Sequence, residues 1–196
     1  MRLIIATSNK NKLREIRSIL AGIGMRIVCL ADLKKRPRIV ENGATFVDNA
    51  AKKALPVSRL YPRDYVVGED SGITVDYLKG RPGVTSKRYA SKVGNPMQNN
   101  AKLLKSLDGV SASKRGCQFR CSLVLAQGGR LLAVFEGTLV GRVAGKAHGE
   151  HGFGYDPVFY LPSYHKTAAE VSPAVKNRIS HRAKAFRKLK KYLAKL

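Results

Sequence analysis

The chain has 196 residues, with 37 Lys and Arg against 13 Asp and Glu and a formal net charge of +24. A hydrophobic share of 44% and a charged share of 26% are ordinary for a soluble globular protein of one domain, with room for two lobes. No run reaches the roughly 18 apolar residues of a membrane span, so no membrane partner is expected, and three cysteines, Cys29, Cys117 and Cys121, are too few and too odd for a disulfide framework. The basic excess implies attraction to polyanions such as nucleotides or nucleic acid without saying which.

The first residues, Met1-Arg2-Leu3-Ile4-Ile5-Ala6, start like an export signal, but the apolar run ends at once in Thr7-Ser8-Asn9-Lys10. No signal peptide is expected, and the cytoplasm is the expected location. Leu3 to Ala6 reads as a strand and Thr7 to Lys12 as a polar turn. Leu13, Ile16, Ile19, Leu20 and Ile23 then recur at helical spacing. Ser8 or Asn9 suits the helix cap. A strand, a polar turn and a helix start form a geometry that binds phosphate, with Lys10 or Lys12 adding charge. The same residues also suit an ordinary turn with solvated lysines, and the glycine spacing of a Walker A loop is missing.

Arg26 to Leu30 reads as a second strand, and Ala31 to Val40 as a loop around Pro37. Val47 to Ser58 reads as a helix, with Thr45 and Asp48 close to a capping box. Glu41 lies just before it, either as a surface carboxylate or as a third acid meeting Glu69 and Asp70. Those two follow the Val-rich strand Tyr65-Val66-Val67-Gly68 and are expected at its end. Two acids near a core are costly unless a cation or proton compensates. The pair therefore reads as a divalent metal site with a general base, or as a strand-to-turn junction in which Asp70 or Ser71 caps local N–H groups.

Gly80-Arg81-Pro82-Gly83 is a turn, and Asn95 to Leu107 has helical spacing. Cys117–Ala126 and Leu131–Val140 read as strands joined by Gln127-Gly128-Gly129-Arg130, a hairpin pattern that places Cys117 and Cys121 on one side as buried thiols. Gly141 to Glu150 reads as a short strand and a Gly-rich loop. Gly152-Phe153-Gly154-Tyr155-Asp156-Pro157 is either a tight turn on the core or a nucleobase pocket with a stacking face. Ser180 to Leu196 is expected helical, with Ala183, Phe186, Leu189, Leu193 and Leu196 as its apolar stripe and Ser180 as a suitable cap. His181 and Arg182 fall in its first turn, where cations call for a nearby anion.

Taken together, Ala6 to Lys12, Glu41 to Phe46 with Asn49, Ala50 and Lys53, Glu69 to Gly72, Gly80 to Val84 with Ser86, Arg88 and Tyr89, Gly152 to Pro157, and Lys176 with Ile179 to Arg182 closely resemble the Ham1/inosine triphosphate pyrophosphatase family. The resemblance runs in family order along the whole chain. It implies hydrolysis of ITP, dITP and XTP to the monophosphate and pyrophosphate with Mg²⁺, cleansing the nucleotide pool. It implies an elongated α/β fold with a mixed central sheet, helices on its faces, two lobes and a substrate cleft between them, usually as a homodimer. Asp70 matches the family's catalytic base and metal ligand, and Glu41 and Glu69 match metal-site acids, although the family often has Asp where this chain has Glu69. Thr7, Ser8, Asn9, Lys10, Asn11, Lys12 and Lys53 match triphosphate contacts. Ser71, Phe153, Gly154, Tyr155, Asp156, Lys176, His181 and Arg182 match the substrate and base pocket. Two other readings are a basic nucleic-acid-binding protein that keeps the nucleotide fold, and a related pyrophosphatase for other modified nucleotides. The larger basic excess leaves room for a weak polyanion contact.

Overall fold

The structure is a computed structural model and describes residues 2–195. Strand β1 (Arg2–Ile5) leads into helix α1 (Lys10–Ile19), and β2 (Arg26–Cys29) follows. Helix α2 (Phe46–Leu60) precedes the long strand β3 (Tyr65–Val75), and α3 (Pro96–Lys105) precedes β4 (Gly116–Gln127) and β5 (Arg130–Val143). Strands β6 (Phe159–Leu161) and β7 (Lys166–Thr167) and helices α4 (Pro173–Ile179) and α5 (His181–Leu193) complete the chain. The strands form one seven-stranded sheet in the order β2-β1-β3-β4-β5-β6-β7. It is mixed: β1 runs parallel to β2 and β3, whereas β6 is antiparallel to β5 and β7. The α/β class with a mixed sheet is therefore as expected.

The chain divides into two compact units, and the division falls within β3, β4 and β5. The first unit holds residues 1–71, 121–137 and 181–196. Strands β1, β3 and β4 are buried on both faces there, whereas β5 exposes Leu131, Leu132 and Val134. One face carries Leu3, Ile5, Tyr65, Val67 and Cys121 against α1 and α5, through Ile16, Leu20, Phe186 and Leu189. The other carries Ile4, Val66 and Val124 against Ala50, Ala54 and Val57 of α2. The alternation follows from the two-residue period of a strand. The second unit, residues 72–120 and 138–180, has its own core, with Ile73, Leu103, Leu107, Cys117, Tyr155 and Phe159. Phe119 and Phe159 stack there with ring centroids 4.1 Å apart.

Several sequence expectations change. Strand β3 runs on to Val75, so Glu69 and Asp70 lie inside it and not at its end. Gly141–Val143 belongs to β5 and is not a separate strand. Helix α4 is too short to show an apolar period along the chain; Ser180 is its C-cap and, in extended backbone, directly precedes the first residue of α5. Leu196, expected on the apolar stripe of α5, lies outside the described residues, as does Met1. No helix among the described residues is long and apolar enough to cross a membrane.

Candidate active site

The centre of the site is Lys53, buried on α2. Its Nζ donates to Asp70 Oδ1 at 2.9 Å and to the Glu69 carbonyl at 3.0 Å, and lies 2.7 Å from Glu41 Oε2. One turn earlier on the same face, Asn49 Nδ2 donates to Asp70 Oδ2 at 3.2 Å, while its Oδ1 accepts from Gly43 N at 2.8 Å. Asn49 thus ties the Glu41–Gly43 turn to Asp70. Its place four residues before Lys53 is the signal that could have identified it as a site residue. Burial alone would lower the Lys53 pKa, but Asp70 and Glu41 outweigh it and raise the value.

This approach of α2 to β3 depends on Gly68. A Cβ there would fall inside the van der Waals contact of the Ala50 carbonyl oxygen and 2.9 Å from Ala54 N. Ala50 and Ala54 are the small residues on the helix face that meets it. The helix start is fixed by a full capping box: Thr45 Oγ1 accepts from Asp48 N, and Asp48 accepts from Thr45 N.

The structure brings Glu41 and Asp70 together but sends Glu69 to the opposite face of β3. Adjacent strand residues point to opposite faces, so the two neighbouring acids cannot share one site. Glu69 is fully buried and meets the guanidinium of Arg182, which donates to its Oε1 at 2.7 and 3.0 Å. Lys12 Nζ lies 3.3 Å from the same oxygen. Glu69 Oε2 has no hydrogen-bond partner among the described residues. Burial would raise the Glu69 carboxyl pKa, but Arg182 and Lys12 hold it far below the usual carboxylate range. Arg182 also donates to Glu15 Oε2 at 2.6 Å and to Ser71 Oγ at 3.1 Å, and Lys12 Nζ donates to Ser71 Oγ at 3.0 Å. The anion that the first turn of α5 calls for is thus internal. Glu15 on α1 is thereby a partly buried partner of Arg182, a role that no motif in the chain signals.

The Thr7–Lys12 turn is ordered by its own side chains. Thr7 Oγ1 accepts from Asn9 N at 3.2 Å, and Asn9 caps α1 by accepting from Lys12 N at 3.1 Å. Ser8, Lys10 and Asn11 are exposed beside this cap. His181 is buried at the start of α5. In the second unit, Gly152 and Gly154 adopt the left-handed backbone that their loop requires. Asp156 Oδ2 accepts from Phe153 N at 2.7 Å and from Lys176 Nζ at 2.5 Å, and Lys176 Nζ lies 4.7 Å from the centroid of the Phe153 ring. Tyr155 lies in the core with its hydroxyl donating to the Ser86 carbonyl at 2.8 Å, which leaves Phe153 as the half-exposed aromatic of the loop. Cys117 and Cys121 are buried thiols, pushed up in pKa first by burial.

Two carboxylates meeting at one cationic point offer hard oxygen ligands. No three His, Cys, Asp or Glu side chains among the described residues cluster closely enough to hold a metal by themselves. Glu41 and Asp70 are the two carboxylates that could contribute to one, and a hard divalent ion held there would need water and ligand oxygens to complete its shell.

An α/β sheet with a buried carboxylate–lysine cluster and a capped helix start beside polar, basic residues defines a protein equipped for anionic ligands. The Ham1 family model matches residues 3–192, and the chain belongs to the Ham1 family. It is 49% identical over 187 residues to a dITP/XTP pyrophosphatase of Geobacillus kaustophilus, covering 95% of this chain and 91% of that protein. It is 43% identical over 195 residues to a dITP/XTP pyrophosphatase of Listeria innocua, covering 100% and 96%. The solved structure of a HAM1 protein from Coxiella burnetii superposes with a TM-score of 0.91 at 34% identity, over 100% of both chains.

Proposed function

We propose that this chain hydrolyses non-canonical purine nucleoside triphosphates (ITP, dITP and XTP) to the monophosphate and pyrophosphate, with Mg²⁺ as cofactor. The observation that carries the reading is the Lys53 ammonium held between Glu41 and Asp70, with Asn49 fixing the second Asp70 oxygen. The names of the Geobacillus and Listeria relatives support it. Asp70 orients the attacking water and accepts its proton; a carboxylate held by two donors keeps the fixed direction this needs. Glu41 and Asp70 would hold the Mg²⁺, which when bound polarises the phosphoryl oxygens and neutralises their charge. Lys53, the N–H groups at the start of α1 and Lys10 bind phosphate oxygens and stabilise charge on departing pyrophosphate.

Lys12 and Arg182 work through Glu69 and Ser71 and hold the α1 and α5 termini beside β3. Phe153 and Lys176 are the proposed base contacts, an aromatic face and a donor for a purine 6-carbonyl. Adenine carries an amino donor at that position, and a site built from donors rejects it by leaving buried groups unpaired. A homodimer and a cytoplasmic, pool-cleansing role belong to the same proposal.

The test is product analysis with ITP and Mg²⁺ beside ATP and GTP, and again with a chelator. IMP and pyrophosphate from ITP alone, lost with the chelator, is the expected result. IDP and phosphate would overturn the bond assignment. Equal turnover of ATP would overturn the base contacts.

A further inference from the structure

A cavity of about 670 Å³ opens in the second unit and shares no residue with the Lys53 cluster or the Gly152–Asp156 loop. Its volume lies within the roughly 300–1,000 Å³ of small-molecule sites. The end of β5 supplies Arg142, the loop after it supplies Lys146 and His148, and His165 and Glu170 flank β7. Arg115 completes the basic lining and is rigid: its guanidinium donates to the carbonyls of Leu107 at 2.9 Å, Val110 at 2.9 Å and Ala144 at 3.2 Å. Those partners are neutral, so its charge is not cancelled. Arg142, Lys146 and His165 make no side-chain hydrogen bond or ion pair with any described residue. The single acid, Glu170, accepts from Thr167 N at 2.7 Å and is held below the usual carboxylate range chiefly by that bond.

We infer that this cavity is a second anion site, separate from the proposed catalytic one, and that it takes a phosphomonoester no larger than a mononucleotide. Three permanent cations, Arg115, Arg142 and Lys146, against one carboxylate leave an excess of two positive charges. A phosphomonoester carries about −1.5 to −2 at neutral pH, and its oxygens match a guanidinium fork. A singly charged carboxylate would leave part of that excess uncompensated. The lining holds one aromatic residue, Tyr160, and not the series of aromatics interleaved with basic residues that stacks successive bases, which favours a small ligand over a nucleic-acid strand.

The site is tested by calorimetric titration of the full chain with AMP and, separately, with inorganic phosphate. The proteins are wild type, Lys53→Met and the double variant Arg142→Glu/Lys146→Glu. Binding that survives in Lys53→Met and weakens about tenfold or more in the double variant is expected, since two charge-assisted contacts are lost. The kcat for ITP in the double variant should stay within about twofold of wild type, because neither residue touches the proposed reaction centre. AMP binding much tighter than phosphate would make a nucleotide the ligand; equal affinities would make it free phosphate. The milder Arg142→Gln/Lys146→Gln protein, with an unchanged circular dichroism spectrum, guards against misfolding. Binding of neither probe to Lys53→Met, or equal affinity in the double variant, overturns the site. Tighter binding of a labelled single-stranded RNA than of AMP, lost in the double variant, overturns the small-ligand assignment. Failure of ITP turnover is read in a different assay and leaves this result intact.

Discussion

Lys53 and Glu69 are both buried charges, and each is tolerable only through its partners. Asp70→Asn keeps the size of the side chain but removes the proton acceptor and one negative charge. Turnover of ITP should fall by about 100-fold or more, while the circular dichroism spectrum stays native; near-normal turnover would remove Asp70 from the proposed chemistry. Glu69→Gln tests the other face. It leaves the Arg182 guanidinium without its main buried partner, and a loss of about 3 kcal/mol is expected in urea unfolding at pH 7. The folded-state pKa of Glu69 lies below its ordinary 4.5, so its contribution is complete above that value and is lost as pH falls through the folded one. Wild type should therefore lose more stability than Glu69→Gln on acidification from pH 7 to 3. Lys53 has the opposite sign: its pKa is raised above 10.5, so its contribution holds below that value and disappears as pH rises through the folded one.

At the scale of elements, the site depends on how closely α2 lies on β3. Gly68→Ala should push the helix away from the strand, because the obstacle is the Ala50 backbone and not a flexible side chain. A destabilisation of about 2 kcal/mol is expected by denaturant titration. The kcat should fall with it, because Lys53 and Asn49 would lose their reach to Asp70. A similar constraint acts on α5, where a Cβ at Gly137 would lie 2.6 Å from Ala185 N. The hydrophobic pattern along the chain showed that these helices exist. It did not show that the contact needs a glycine in the strand opposite an Ala-rich face, since that is a pairing of residues far apart in sequence.

For the whole molecule, a net charge of +24 should draw a polyanionic substrate from a distance. The kcat/KM for ITP should fall several-fold as salt rises from about 50 to 500 mM, with kcat little changed, because screening acts on encounter more than on the held complex. A kcat/KM independent of salt would mean that the basic surface plays no part in capture.

The sequence by itself determined the α/β class, most element positions, the cap at Thr45 and the family, and narrowed the cap of α1 to Ser8 or Asn9, because periodicity, capping and motif order are local properties of the chain. It also placed Glu41, Lys53 and Asp70 among the residues that matter. Only the tertiary structure decided their partnership. The two-residue strand period sends Asp70 to α2 and Glu69 to Arg182 and Lys12, and the loop that carries Tyr155 turns its ring into the core of the second unit, with the hydroxyl on the Ser86 carbonyl. Asn49 lies four residues before Lys53, a spacing that the chain does record. Glu15 and the basic cavity around Arg142 take their meaning from groups that approach across the fold, and no spacing along the chain records them.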